Sequence, residues 1–280
     1  MCNLVCEAAF YKPETPVSDA TSVLHLSKVA MRILSSVICF VVAASVALSS
    51  YGQASSAHNV YVKVQAAQSG DKAISAIDLN ATAEWTAGST HEHGTAQLQA
   101  KADGSTTVAL RLGQLNRTET YSKEESSRTC KRTDAAGKEY AIVGLNCVAS
   151  TPWFAPVLIT QAALHRADLF SASDDGEISK DGATRHQISL IRPLRGTSDP
   201  ISKSIQQSTK ITILCDPQTL LPSSLEYSIH PDGDDSRGIG VRVVFSDYRS
   251  VSGVMLPFHI EKYVNHSLQL TLSVTNALAN

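Results

Sequence analysis

The sequence predicts a mainly β protein of the α+β class, with one large antiparallel sheet and a few short apolar helices over one face. Three observations carry this. Strand-length segments alternate apolar and polar side chains, the period-two spacing that sends neighbouring residues to opposite faces of a sheet. Turn signals separate them: Ala-Gly-Ser at 87–89, Asp103-Gly104, Asp175-Gly176, Asp232-Gly233 and Ser252-Gly253. Only two segments break the pattern toward helical spacing. Clean alternation means one apolar and one polar face per strand, hence a sheet covered on one side.

In chain order, residues 57–68 predict a short helix behind a Ser55-Ser56 cap. Ile77, Leu79, Ala81, Ala83 and Trp85 then alternate with Asp78, Asn80, Thr82, Glu84 and Thr86. A strand-like run follows at 94–101, and Val108, Leu110 and Leu112 oppose Thr107 and Arg111. Residues 151–169 carry Trp153, Val157, Leu158 and Leu164 at near-helical spacing, and Pro156 restricts the helix to starting about there. Strands are expected at 184–191, 209–215, 239–248 and 256–264. Leu225, Tyr227 and Ile229 oppose Glu226, Ser228 and His230, and Leu268, Leu270, Leu272 and Val274 close the series.

The 280 residues carry 24 Lys+Arg against 26 Asp+Glu, a net charge of −2. That balance excludes a basic nucleic-acid surface and an acidic solvating chain. At 43% apolar residues the chain can build a core.

Residues Ile33–Leu48 form an uncharged, mostly apolar run behind Met31-Arg32, and small residues follow at Gly52 and Ala54. This is the pattern of a secretory signal peptide over 31–54, cut after Ala54, with Ala57 as the second choice. A membrane anchor is the alternative, though the run falls short of the roughly 20 residues that span a bilayer. Residues 1–30 are then an upstream extension or the product of a mis-assigned start, and 55–280 form a single domain. The exported part keeps Cys130, Cys147 and Cys215. An oxidising compartment permits one disulfide among three possible pairs, and Cys130–Cys147 is favoured over two reduced thiols. Cys215 ends an apolar strand and is expected in the core.

The order Cys215-Asp216-Pro217-Gln218-Thr219-Leu220-Leu221-Pro222, then Val243-Val244-Phe245-Ser246-Asp247-Tyr248-Arg249, then Gly253-Val254-Met255-Leu256-Pro257-Phe258 and a last strand, resembles the periplasmic lipoprotein carrier (LolA-like) superfamily and its outer-membrane lipoprotein-sorting relatives. Arg117-Thr118-Glu119 is similar to the family's R-x-E step. The resemblance covers 60–280 loosely and 209–280 with more specificity. It implies a strongly curved, half-open barrel with the helices as a lid over its concave face, and an apolar cavity for acyl chains. Arg117 is the match for the arginine that holds the lid. The cysteine-containing segment 130–147 departs from the family pattern.

Other chemistry finds little support. His91-Glu92-His93 places two histidines on one side of a strand, but no second cluster completes a zinc set, so a polar hairpin tip is the better reading. Asp174, Asp175, Glu177 and Asp181 around Gly176 and Gly182, and Asp232, Asp234 and Asp235 around Gly233, are expected at solvated turns. No nucleophile elbow, H-E-x-x-H, phosphate loop or dinucleotide fingerprint occurs. His165, His186 and His259 stand isolated.

The expectation is therefore a periplasmic, non-catalytic carrier or binder of a lipid or lipidated protein, needing no metal or cofactor. Its cavity lining would come from Trp85, Leu110, Trp153, Phe154, Leu158, Phe170, Tyr227, Phe245, Phe258 and Leu270. Acyl chains are the expected partner, with an envelope protein second, only transient membrane contact, no nucleic acid, and a monomeric state. The alternative is a structural or interaction module of the cell envelope with a filled core. An envelope hydrolase would need two of the acidic clusters' carboxylates converging in one cleft.

Overall fold

The computed structural model describes residues 58–124, 127–142, 144–193, 205–231, 234 and 236–280. The proposed leader and the Asp232-Gly233 turn lie outside them. Thirteen strands form a single antiparallel sheet: β1 (Ala76–Ala87), β2 (Thr90–Lys101), β3 (Thr106–Leu112), β4 (Arg117–Glu124), β5 (Ser127–Thr133), β6 (Glu139–Ala141), β7 (Ser171–Lys180), β8 (Ala183–Ile191), β9 (Ile211–Cys215), β10 (Pro222–Ile229), β11 (Ile239–Val251), β12 (Val254–Val264) and β13 (Ser267–Ala279). Their order is β6-β5-β4-β3-β2-β1-β13-β12-β11-β10-β9-β8-β7. Every neighbour but one follows in sequence, and most pairs close through short connections, the longest being the one from β8 to β9. The exception is β1 beside β13, which joins the two halves of the meander. The sheet curves without closing into a barrel.

Four helices accompany the sheet: α1 over residues 58–69 and α3 (Pro156–His165), which pack into the core on the concave side, α2 (Gly144–Val148), and one turn, α4, at 205–208. In α1 the residues Tyr61, Val64, Gln65 and Gln68 are buried, the i, i+3, i+4, i+7 stripe of a helix with one face in a core. α3 begins with Pro156 at its first turn, where a missing N–H costs nothing. Its first five residues, Pro156 to Thr160, are all buried, so it is enclosed on every side rather than resting on a surface. No helix among the described residues is long and apolar enough to cross a membrane.

The register settles which strand face turns inward. Leu79 stands opposite Leu98, Leu98 opposite Val108, Ile260 opposite both Phe245 and Leu272, and Leu225 opposite both Val243 and Ile213. These residues share one continuous core with Phe154, Val157 and Ile159 from the helical segment. Four ladders shift register, at Asn80/Ala81, Pro222/Ser224, Lys262/Tyr263 and Asp174/Gly176. Bulges of this kind add twist and bend the strand that carries them. Gly94 marks another tight place, because a Cβ there would collide with the Arg111 carbonyl.

The motif residues of the C-terminal third act as scaffold. The Asp216 carboxylate accepts hydrogen bonds from the backbone N–H of Gln218 (3.1 Å) and Thr219 (2.8 Å) and from the Thr219 hydroxyl (3.0 Å). This knots the turn that delivers Pro222 to β10. The Tyr248 hydroxyl then donates to the Pro222 carbonyl at 2.7 Å.

One expectation needs correction. Asp174, Asp175 and Glu177 are not at a turn but inside β7, and only Asp181-Gly182 turns the chain toward β8. Gly176 serves the bulge, not a hairpin tip, because the carboxylates find donors on β8: Asp174 at His186 (2.8 Å), Asp175 at Gln187 (2.8 Å) and Ser189. The favoured disulfide is present. Cys130 of β5 is disulfide-bonded to Cys147 of α2, with the two Cα atoms 5.6 Å apart. The bond fastens a helix to the edge of the sheet, while β5 and β6 pair on their own account.

α3 is anchored by buried hydrogen bonds. The Thr160 hydroxyl, fully buried, accepts from Gln68 Nε2 at 2.9 Å and lies 2.8 Å from Gln65 Oε1, to which it donates. Gln161 exchanges two 2.8 Å bonds with the backbone of Ile74. Thr160→Val would strand the Gln65 side-chain oxygen and leave Gln68 Nε2 with the Val64 carbonyl (3.2 Å), and is expected to cost about 2 kcal/mol in urea denaturation. Breaking the Cys130–Cys147 bond, which closes a loop with a sequence separation of 17, is expected to cost about 3 kcal/mol. Denaturation with and without reductant, compared with Cys147→Ser, measures that cost.

Candidate functional site

A cavity of about 340 Å³ lies on the concave side, lined from the strands by Thr106, Val108, Arg117, Glu119, Tyr121, Arg132, Tyr227, Ser228, Ile229 and Lys262. The connecting segment contributes Ile142, Asn146, Ala149, Ser150, Thr151 and Trp153, and His230 closes one end. β4 and β10 stand seven places apart in the strand order. On a flat sheet that would separate them by roughly 34 Å at ~4.8 Å per strand. Here they face each other across one small cavity, because the sheet curls.

Register explains which side chains meet. Val108 of β3 stands opposite Glu119, and Thr106 opposite Tyr121, so Arg117, Glu119 and Tyr121 point inward from β4. Glu119 in turn faces Arg132 of β5. On β12 the inward series Leu256, Phe258, Ile260 continues to Lys262, which stands opposite Val243 and Leu270.

The roof is pinned at several points. The Asn146 side chain donates to the His230 carbonyl (2.7 Å) and accepts from its N–H (2.8 Å). Arg192 donates to the Ser150 carbonyl (3.1 Å) while its guanidinium covers the Phe170 ring at 5.0 Å. Trp153 meets Phe154 edge to face at 5.5 Å and takes the Lys262 ammonium over its own ring at 4.5 Å.

The charges are unevenly matched. Arg117 pairs with Glu119 at 3.1 Å. Arg132 stacks over Tyr140 at 5.4 Å. Neither Arg132 nor Lys262 has a carboxylate within ion-pair distance among the described residues. Burial pushes the Lys262 ammonium down to about 8, with Glu119 drawing it up and Arg117 pushing it further down. His230 is 6% exposed, and neither ring nitrogen finds a hydrogen-bond partner among the described residues.

The expected lining residues divide. The register turns all six strand positions, Trp85, Leu110, Tyr227, Phe245, Phe258 and Leu270, toward the concave face. Of the apolar ten, Trp153 and Tyr227 line the cavity, as does Arg117. Leu110, Phe154, Leu158, Phe170, Phe245 and Leu270 are buried in the core, with Trp85 and Phe258 packed against it. Arg117 and Arg132 also line a neighbouring hollow of about 430 Å³ beside Tyr140.

The remaining candidates form no joint site. His91 and His93 lie on β2, where His91 bonds Thr86 (3.2 Å) and His93 stands 3.9 Å from Glu84. Asp174 and Asp175 reach opposite faces of β7, so their carboxylates diverge. Asp234 accepts bonds from Ser236 within an exposed turn, while Asp232 and Asp235 lie outside the described residues. His165 ends α3, and His259 stands 3.5 Å from Glu261. Cys215 is buried and free, and burial pushes its thiol up to about 12.

No family model matches the sequence, and no curated protein matches it. Solved structures are similar to it. One is a DUF1329 family protein from Desulfovibrio piger, with a TM-score of 0.51 at 12% identity over 81% of this chain and 93% of that one. Another is a putative outer membrane lipoprotein-sorting protein domain from Vibrio parahaemolyticus (0.49, 8% identity, 81% and 93%). A third is a LolA superfamily protein from Nitrosomonas europaea (0.45, 10% identity, 80% and 93%). The first likeness shows a shared fold and, at that identity, the fold alone. The architecture implied by the LolA-like resemblance, a half-open antiparallel sheet with helices inside its curve, is the one this chain has.

Lys262 sets a pH test. Its native value lies near 8 against ~10.4 unfolded, so between those limits the unfolded chain binds the extra proton. Its contribution to stability therefore rises as pH goes from about 8 to about 10. Cys215, protonated in the fold up to about 12, contributes in the opposite direction above its unfolded value near ~8.5. The difference between wild type and Lys262→Met removes Cys215 from the comparison. That variant is expected to be at least as stable as wild type at pH 7, with its advantage shrinking toward pH 10 in paired urea titrations.

Proposed function

We propose that this chain is an exported, non-catalytic carrier or binder that takes a lipid, or an acyl chain of a lipidated protein, into the cavity on its concave face. The carrying observation is that cavity. At about 340 Å³ it lies at the small end of the range for ligand sites, and Val108, Ile142, Trp153, Tyr227 and Ile229 give it apolar wall. The wall is formed by a curled sheet on one side and a short, pinned connecting segment on the other. The LolA-like resemblance supports the same reading. Each methylene buried there would contribute about 0.8 kcal/mol, so a partly sheltered chain is enough for useful affinity. Export to the periplasm rests on the signal-peptide pattern of residues 31–54 and agrees with the disulfide.

A second reading, an interaction module of the cell envelope, is favoured by the packed state of the core: Phe154, Leu158 and Leu270 are at most 5% exposed. Native mass spectrometry of protein purified from a periplasmic extract, followed by lipid analysis after denaturation, separates the two. An acyl species is expected to co-purify with wild type and to be lost from Trp153→Ala, with the variant's melting cooperative. A bare mass for wild type, and no uptake of an apolar fluorescent probe, would instead establish the module.

A further inference from the structure

We propose that the 340 Å³ cavity is a site for an anionic head group, carboxylate or phosphate, carried on a single-chain amphiphile, and that Lys262, Arg117, Arg132 and His230 recognise it. This rests on the carrier reading above and adds the chemistry of the ligand's polar end.

Four observations converge. The lining brings three cations together from β4, β5 and β12 against one carboxylate, Glu119, leaving two positive charges in excess. Lys262 occupies an inward position between Ile260 and Val264, where packing alone asks for an apolar side chain, and its ammonium rests on Trp153 (4.5 Å) with no carboxylate within ion-pair distance among the described residues. A cation taken out of water without a carboxylate in contact is costly, Glu119 offsets that only from a distance, and an anion in the cavity would offset the rest. His230, more than nine-tenths buried, presents an imidazole without a hydrogen-bond partner, although both backbone groups are clamped by Asn146. Orphaned buried donors of this kind call for a missing partner. An oxyanion satisfies them together: its oxygens accept from the ammonium, the guanidinium groups and the imidazole N–H.

The cavity also has an apolar side. Val108, Ile142, Trp153 and Ile229 stand against the charged residues, so a ligand filling it must carry hydrocarbon next to its charge.

The test is calorimetric titration of the full chain, purified with its leader processed, using dodecyl phosphate, dodecanoate, dodecanol and inorganic phosphate below the critical micelle concentrations. Dodecyl phosphate and dodecanoate are expected to bind at least tenfold tighter than dodecanol and at least a hundredfold tighter than inorganic phosphate. Lys262→Met is expected to abolish the preference of dodecyl phosphate and dodecanoate over dodecanol while the variant's melting stays cooperative. Arg132→Gln serves as a second variant with the same direction and a smaller effect. Glu119→Gln, which removes the cavity's carboxylate, is expected to tighten dodecyl phosphate binding several-fold. Equal affinity for all three dodecyl compounds would overturn the head-group site while leaving the carrier reading standing. Inorganic phosphate binding as tightly as dodecyl phosphate would overturn the amphiphile in favour of a free-anion site. No binding of any dodecyl compound would overturn the site and the carrier reading together.

Discussion

The topology places one demand on the chain from which much else follows. All thirteen strands lie beside a sequence neighbour, six outward from β1 and seven back to β13, but β6 and β7 end up on opposite free edges. The segment joining them must cross the sheet. A crossing on the outer face would leave the inward apolar residues of β1, β3, β10 and β12 in water. Running through the curve instead buries Phe154, Val157, Leu158 and Ile159 against them. The connection is thus the core's second layer, the requirement that any one-sided sheet has to meet. The edges need less protection: β6 is three residues long and fully exposed, and β7 is polar and bulged, both of which discourage pairing with another chain.

That crossing is secured unequally along its length. α3 is held by enclosed apolar contacts and by buried hydrogen bonds from Thr160 and Gln161. α2 is held from outside, by one disulfide to β5 and by the Asn146 clamp on His230. Between them residues 149–153 pass over the cavity. The core fills the curve beneath α3, and the void survives where the roof is thin and the facing strands carry long polar side chains that do not interdigitate.

Much of the fold was legible in the sequence, and the failures have one cause. β1, β3, β8 to β13 and both longer helices follow from apolar periodicity, and Pro156 marks the start of α3. β4, β5 and β7 do not alternate apolar with polar, because their inward residues include Arg117, Glu119, Arg132 and Asp174. Period-two reading detects a strand by its apolar face, so a strand whose inner face is charged passes for a loop. In β7 the Asp175-Gly176 pair adds a turn signal to a polar run, although the residues lie inside the strand. Curvature was not legible from periodicity at all; it came from the family resemblance, since twist and bulge placement depend on the assembled sheet.

The same blind spot hid part of the candidate site. An apolar lining list finds Trp153 and Tyr227 but passes over Arg132, Glu119, His230 and Lys262, which give the cavity its character. For three of these no one-dimensional signal distinguishes an inward charge from an exposed one. Lys262 is different: it interrupts an inward run of Val254, Leu256, Phe258, Ile260 and Val264, and a strand with one side in the core places that ammonium inside. Folding alone gains nothing from a charge there, since an aliphatic side chain of similar volume would pack without desolvation cost. A cation in an otherwise unbroken inward register was therefore the readable mark of the cavity, and it points to an anion on the other side of the gap rather than to hydrocarbon alone.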